Sequence, residues 1–166
     1  MKLYNLIQFI REYAVLILII ILMIALSLAS DAFLSPRNLL NILNQNAPLA
    51  IIAAALTLCI IAGGFDLSTA SVFGVASCAA AWIAVNIDPY LGLALAPIIG
   101  IILGYVNGVL ITSLGVHSFL ATIATSLIYR GVAILITGGF LIPVRMQEFI
   151  WLGRGKIYGI HYTIFI

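Results

Sequence analysis

Charge is what this sequence lacks. Only 7% of its 166 residues are Asp, Glu, Lys or Arg, against about 25% in a soluble globular domain. So few charges cannot clothe a folded chain in a hydrated surface, which excludes a water-soluble domain. The net charge of +2 comes from scattered residues, with no basic block to hold nucleic acid. Cysteine is as scarce. Cys59 and Cys78 are the only two; both lie in apolar runs and read as small buried thiols, not as a disulfide framework. No second His or carboxylate stands at metal-ligand spacing from His117, so no metal site is expected. The phosphate-loop pattern Gly-x-x-x-x-Gly-Lys is missing: Gly153-Arg154-Gly155-Lys156 lacks the earlier glycine. No nucleophile–base or carboxylate pair is visible. An enzyme is therefore not expected, nor a cofactor. Met1–Arg11 is mixed and the first apolar run is followed by Asp31, so a cleaved signal peptide is not expected either.

What is abundant is apolar sequence. Hydrophobic residues make up 64% of the chain, and the mean hydropathy is +1.28. Long apolar runs recur and place the chain in a bilayer. The fold class they predict is all-α: a polytopic transmembrane bundle of about five complete spans and the start of a sixth. The spans fall near residues 13–33, 45–63, 67–86, 90–114 and 118–137. Asn38–Asn46 alternates leucine, isoleucine and asparagine at helical spacing, as in a short interfacial helix or the polar start of the second span. Thr137–Ile160 is the one substantial loop. It carries Arg145, Glu148, Arg154 and Lys156, with Trp151 and Tyr158 as interface aromatics. His161–Ile166 turns apolar again, like the first residues of a sixth span.

The second run, Ala47–Ala62, covers only about 24 Å of helix against a ~30 Å hydrocarbon core. It ends at Gly63-Gly64, and glycines cost roughly 1 kcal/mol each in a helix interior. Asp66 and Ser68 follow, and either can accept from the free N–H groups of the next helix. Such a break at 63–68 survives in lipid only inside protein or beside water, as broken helices do in transporters. An ordinary loop between two spans fits the same residues.

Small residues at four-residue spacing mark helix faces that can approach closely. Ala70, Gly74 and Cys78 form one such row, Ala76, Ala80 and Ala84 another, and Gly100, Gly104 and Gly108 a third; the last reads as a tight helix contact. Asn107 lies beside it inside the fourth span, as an interhelical hydrogen bonder or a pore-lining group. Arg130 interrupts the fifth span, where an arginine costs at least about 2.5–3.5 kcal/mol unless it snorkels, pairs or meets water. Lys2 and Arg11 before the first span, with Arg37 after it, favour an N-terminus inside. The later loops favour the reverse, so charge leaves the orientation open.

Read in series, these motifs resemble a known family: the membrane permease subunits of ribose-type ATP-binding-cassette importers, relatives of branched-chain amino-acid permeases. That family carries Gly-Gly-Ile-Asp-Leu-Ser-Val-Gly-Ser after an early span; here Gly63–Ser71 reads Gly-Gly-Phe-Asp-Leu-Ser-Thr-Ala-Ser. Gly104, Asn107-Gly108, Phe119-Leu120-Ala121-Thr122, Arg130-Gly131 and Thr137-Gly138-Gly139 match later family motifs in the same order. Phe65, Thr69-Ala70 and His117-Ser118 depart from it, and family members run to roughly twice this length.

The resemblance implies the N-terminal half of an importer transmembrane domain, over residues 1–166, in the bacterial plasma (inner) membrane. It implies a solute path bordered by Gly63, Gly64, Asp66, Ser68, Asn107, Phe119, Thr122 and Arg130. It also implies partners: an ATP-binding subunit whose docking loop is not in this chain, a periplasmic or extracellular solute-binding protein, and a second permease protomer. The alternatives are a membrane fragment without transport activity and a small structural membrane protein that shares the packing motifs. The solute is not named by these residues.

Overall fold

The computed structural model describes residues 8, 10–157 and 160–162. The chain divides into two compact units, Met1–Gln45 and Asn46–Ile166.

The first unit holds α1, Ala14–Ala29, a 16-residue helix of almost pure aliphatic sequence. At 1.5 Å per residue it is about 24 Å long. A turn over 31–34 leads to α2, Pro36–Ile61, which begins here and continues into the second unit. Its start is built from local chemistry. Pro36 occupies the first helical position, where its missing N–H is no loss. Ser35 Oγ accepts from the Asn38 N–H at 3.3 Å, and Asn38 Nδ2 donates back to the Phe33 carbonyl at 2.8 Å.

The polar stretch Asn38–Asn46 is therefore the start of the second span. The alternative of a separate interfacial helix falls away, because α2 is continuous for 26 residues with Pro48 inside it. The three helices that follow are α3, Thr69–Asn86, α4, Pro89–Thr112, and α5, Ser118–Thr137. With α2 they make, among the described residues, four helices long and apolar enough to cross a membrane; α1 is apolar but shorter.

In the second unit α3 is the central element and packs on both α4 and α5. Small side chains make this possible. Val75, Ala80 and Ala84 of α3 are buried, as are Ala121 and Tyr129 of α5. The closest approach is at Gly92 of α4. A Cβ there would lie 2.6 Å from the Ala80 carbonyl oxygen and 3.1 Å from Ala84 Cβ. This corrects the expectation for Gly100, Gly104 and Gly108. A Cβ at any of the three would meet nothing within 4 Å, so within this chain they do not form the tight contact. The spacing favours close approach but does not choose which glycine meets a neighbour.

Polar ties also cross the bundle: Ser71 Oγ lies 2.8 Å from Ser126 Oγ, and Tyr129 OH donates to the Leu103 carbonyl at 2.9 Å. α4 begins with Asp88 accepting from the Leu91 N–H at 2.8 Å, with Pro89 next. α5 ends at Gly138, whose positive φ of 62° suits glycine.

The loop after α5 contains α6, Gln147–Arg154, and a short antiparallel pair, β1 Lys156–Ile157 with β2 Ile160–His161. The Trp151 and Tyr162 rings sit 5.1 Å apart. The expected sixth span does not begin at His161, which is in β2. Residues 163–166, like Tyr158 and most of Met1–Tyr13, lie outside the described residues.

Candidate functional site at the helix break

The break between α2 and α3 follows from Gly63. Its φ of 81° is left-handed backbone, which side-chain-bearing residues adopt at a cost. The Gly63 N–H bonds to the Ile60 carbonyl at 2.9 Å and the Gly64 N–H to the Cys59 carbonyl at 3.0 Å. That nested pair is the Schellman helix stop. It turns the chain away from the α2 axis after Ile61 and satisfies the carbonyls left over at the helix end. Two adjacent glycines supply it: one for the positive φ, one as the residue that closes the outer bond.

Residues 65–67 then cross to α3 without helical bonds, so their polar groups need other partners. Asp66 Oδ1 accepts from the Ser68 N–H at 2.8 Å and from the Ser68 hydroxyl at 2.6 Å. Asp66 thus holds Ser68, the residue before α3, where a bond to the free N–H groups of α3 itself was expected. Ser68 occupies the N-cap position but its side chain makes no cap bond. Its hydroxyl instead bridges two elements, since it also accepts from Asn107 Nδ2 at 2.6 Å. On the other side the Phe65 N–H donates to Ser118 Oγ at 3.2 Å. The Thr122 hydroxyl donates to the Ser118 carbonyl at 2.8 Å, with the Phe65 carbonyl 3.4 Å away. The break is therefore stitched to α4 through Ser68–Asn107 and to the first turn of α5 through Phe65.

A cavity of about 340 Å³ opens at this junction. Gly64, Phe65 and Asp66 of the break form one wall, and Gly104, Asn107 and Gly108 of α4 another. Ser118 and Thr122 complete it from α5, and Cys59 from the end of α2. Most of its surface is apolar, with a few polar groups converging, as in small-molecule sites. Two of those groups are buried, Thr122 at 1% exposed and Asn107 at 4%, and Ser68, which lies behind the cavity lining as Asn107's partner, is 0% exposed.

Gly64, Asp66, Ser68, Asn107 and Thr122 are thus brought together. Gly63 stands behind them as the helix stop. Gly104 and Gly108 border the cavity instead of packing a helix. Phe119 is 46% exposed and does not line the cavity, and Arg130 is exposed further along α5. Sequence reasoning missed Ser118, read only as a departure from the family turn, and Gly92. A signal for Ser118 was present: a serine at the first position of a span, facing a break whose N–H groups need acceptors.

The geometry defines a polar junction beside a cavity, set among helices long and apolar enough to cross a membrane. The chain belongs to the family of the branched-chain amino acid transport system / permease component, which it matches over residues 38–154. It is 32% identical to the ribose import permease protein RbsC of Haemophilus influenzae over 164 residues, covering 96% of this chain and 51% of that protein. Identity to RbsC of Bacillus subtilis is 38% over 143 residues, or 84% of this chain and 44% of the relative. The L-arabinose ABC transporter permease protein AraH of Azospirillum brasilense is 30% identical over 158 residues, 95% of this chain and 47% of AraH. The chain spans about half the length of these curated relatives. No solved structure matches it.

Proposed function

We propose that this chain is a permease component of an ATP-driven importer of ribose-type sugars, seated in the bacterial plasma (inner) membrane. It corresponds to the N-terminal half of the transmembrane domain and contributes one wall of the solute path. The observation that carries this reading is the cavity at the broken helix, lined by Asp66, Asn107 and Thr122, in a chain of the permease family.

ATP hydrolysis then belongs to a separate ATP-binding subunit, delivery to a solute-binding protein, and a second permease protomer faces this one across the path. The sugar permeases among the relatives favour a hydroxylated solute. A second reading has its own support. The chain covers about half of each relative, so transport requires the complementary spans, and the chain by itself is a membrane unit without uptake.

Co-expression with a matching ATP-binding subunit and the complementary spans, followed by purification and sugar uptake into vesicles, tests the first reading. Joint purification with ATP-dependent ribose uptake supports it. Failure of the ATP-binding subunit to copurify under those conditions contradicts it and leaves the second reading, a membrane unit of the family without uptake.

A further inference from the structure

Asn107 Oδ1 is buried and has no hydrogen-bond partner among the described residues. Buried polar atoms are nearly always paired, so an orphan beside a cavity calls for an explanation. We propose that the Asn107 side-chain carbonyl accepts a hydrogen bond from a hydroxyl of the molecule that occupies the cavity. We propose further that Asp66, acting through Ser68, fixes the amide in that orientation. This rests on the permease reading above and adds the residue and the polarity by which the solute is held.

The polarity follows from counting hydrogens. A serine hydroxyl has one hydrogen to donate and lone pairs to accept with. Ser68 commits its hydrogen to the Asp66 carboxylate at 2.6 Å. Towards Asn107 it can then only accept. The amide must present its NH2 to Ser68, which it does at 2.6 Å. Its carbonyl oxygen is thereby turned away from Ser68.

The direction of the relay is set at its far end, because Asp66 Oδ1 is also held by the Ser68 backbone N–H at 2.8 Å. An oxygen must stand there. Asp66 is in this sense a positioning residue for Asn107, a role distinct from capping α3.

The cavity fits the occupant. Its ~340 Å³ lies at the small end of the range of about 300–1,000 Å³ for small-molecule sites. Gly104 and Gly108 flank Asn107, and a Cβ at either would meet nothing within 4 Å, so the helix surface beside the amide is open. The terminal torsion of an asparagine is soft. Oδ1 is closed to water as it stands, so binding requires a small rotation of the amide plane that uncovers Oδ1 and lengthens the 2.6 Å Nδ2–Ser68 bond without breaking it. Thr122 directs its hydroxyl to the Ser118 carbonyl and away from a solute. Of the side-chain groups left to the occupant, Asp66 and Asn107 offer acceptors, and the Ser118 hydroxyl, which accepts from the Phe65 N–H, keeps its hydrogen to donate. A neutral polyhydroxy compound satisfies them; an anion of the same size brings more acceptors and is rejected.

The test is equilibrium binding of D-ribose, with D-ribonate as the anionic counterpart, to the full chain in lipid nanodiscs. Four versions are compared: wild type, Asn107→Leu, Ser68→Ala and Asp66→Asn. Wild type is expected to bind ribose and not ribonate. Asn107→Leu removes the acceptor, and Ser68→Ala frees the amide to turn; each is expected to weaken ribose by roughly tenfold, the effect of about one hydrogen bond. Asp66→Asn keeps an oxygen for the Ser68 N–H and with it the relay's direction, but removes the negative charge that borders the cavity; it is expected to lose less ribose affinity than Ser68→Ala and to discriminate less against ribonate. If Asn107→Leu does not fold, Ser68→Ala, which keeps Asn107, decides alone. Ribose affinity unchanged in the folded variants overturns the inference, as does a wild type that binds no ribose or binds ribonate equally. The permease reading is judged separately, by copurification of the ATP-binding subunit.

Discussion

Asn107, near the C-terminal end of α4, and Ser68, the last residue before α3, meet at 2.6 Å through Nδ2 and Oγ. Thirty-nine residues apart in sequence, they bind the helix break to the wall of the cavity. Both are buried, so the bond is made without competing water.

Removing that bridge should cost stability. Ser68→Ala leaves Asn107 Nδ2 unpaired and takes one donor from Asp66. A buried group left unsatisfied costs about 1–3 kcal/mol. Thermal unfolding of the purified chain in detergent is expected to show a lowered midpoint, while Asp66→Asn, which keeps the oxygen that receives the Ser68 N–H, unfolds close to wild type.

Gly63 should tolerate no ordinary side chain. Its φ of 81° is disfavoured for L-residues by roughly 1–2 kcal/mol, and the space around it is open. Gly63→Ala is therefore expected to destabilise by about that amount through backbone strain alone. Gly63→Asn, whose side chain tolerates left-handed backbone better, should recover part of it. Equal midpoints for wild type and Gly63→Ala would mean that the helix stop is not held in this conformation.

Two glycines on one helix should behave oppositely. Gly92→Ala drives a methyl to 2.6 Å from the Ala80 carbonyl oxygen, and overpacking of this kind costs about 1–3 kcal/mol. Gly104→Ala meets nothing within 4 Å and should unfold like wild type. The comparison of folded yields and melting midpoints checks which glycine carries the helix contact in this chain.

Arg130 is exposed on α5, away from the cavity. Arg130→Gln is expected to shift stability by no more than about 0.5 kcal/mol, as for a surface position, and to leave ribose binding unchanged. A loss of ribose binding with intact folding would place Arg130 in the solute path.

Much of this was legible in the residues. Of the five spans expected from apolar runs, four are membrane-length helices and the first is the shorter α1, because length and hydropathy decide what can cross a bilayer. Gly63-Gly64 announced the helix stop, because left-handed backbone selects glycine. Partners across the bundle were not legible. The row Gly100, Gly104, Gly108 and the lone Gly92 look alike as sequence, and only the packing of α3 on α4 decides which glycine meets a carbonyl. The Ser68 hydroxyl could equally have capped α3; Asn107, brought near by that same packing, redirected it. α2 joined what looked like two segments because Pro48 is accommodated inside a continuous helix.

The central claim is that the 63–68 break lies at membrane depth beside a water-reachable cavity. A nitroxide at Phe65→Cys, in a chain lacking Cys59 and Cys78, measures both properties in a lipid bilayer through collision with oxygen and with a water-soluble nickel complex. Labels at Leu127, which is 66% exposed on α5, and at Phe140 in the loop after it serve as lipid and surface controls. The account predicts a depth at position 65 within the hydrocarbon region, like Leu127, together with nickel access that Leu127 lacks. A depth at the headgroups, with collision rates matching Phe140, would make the break a surface loop and contradict the account.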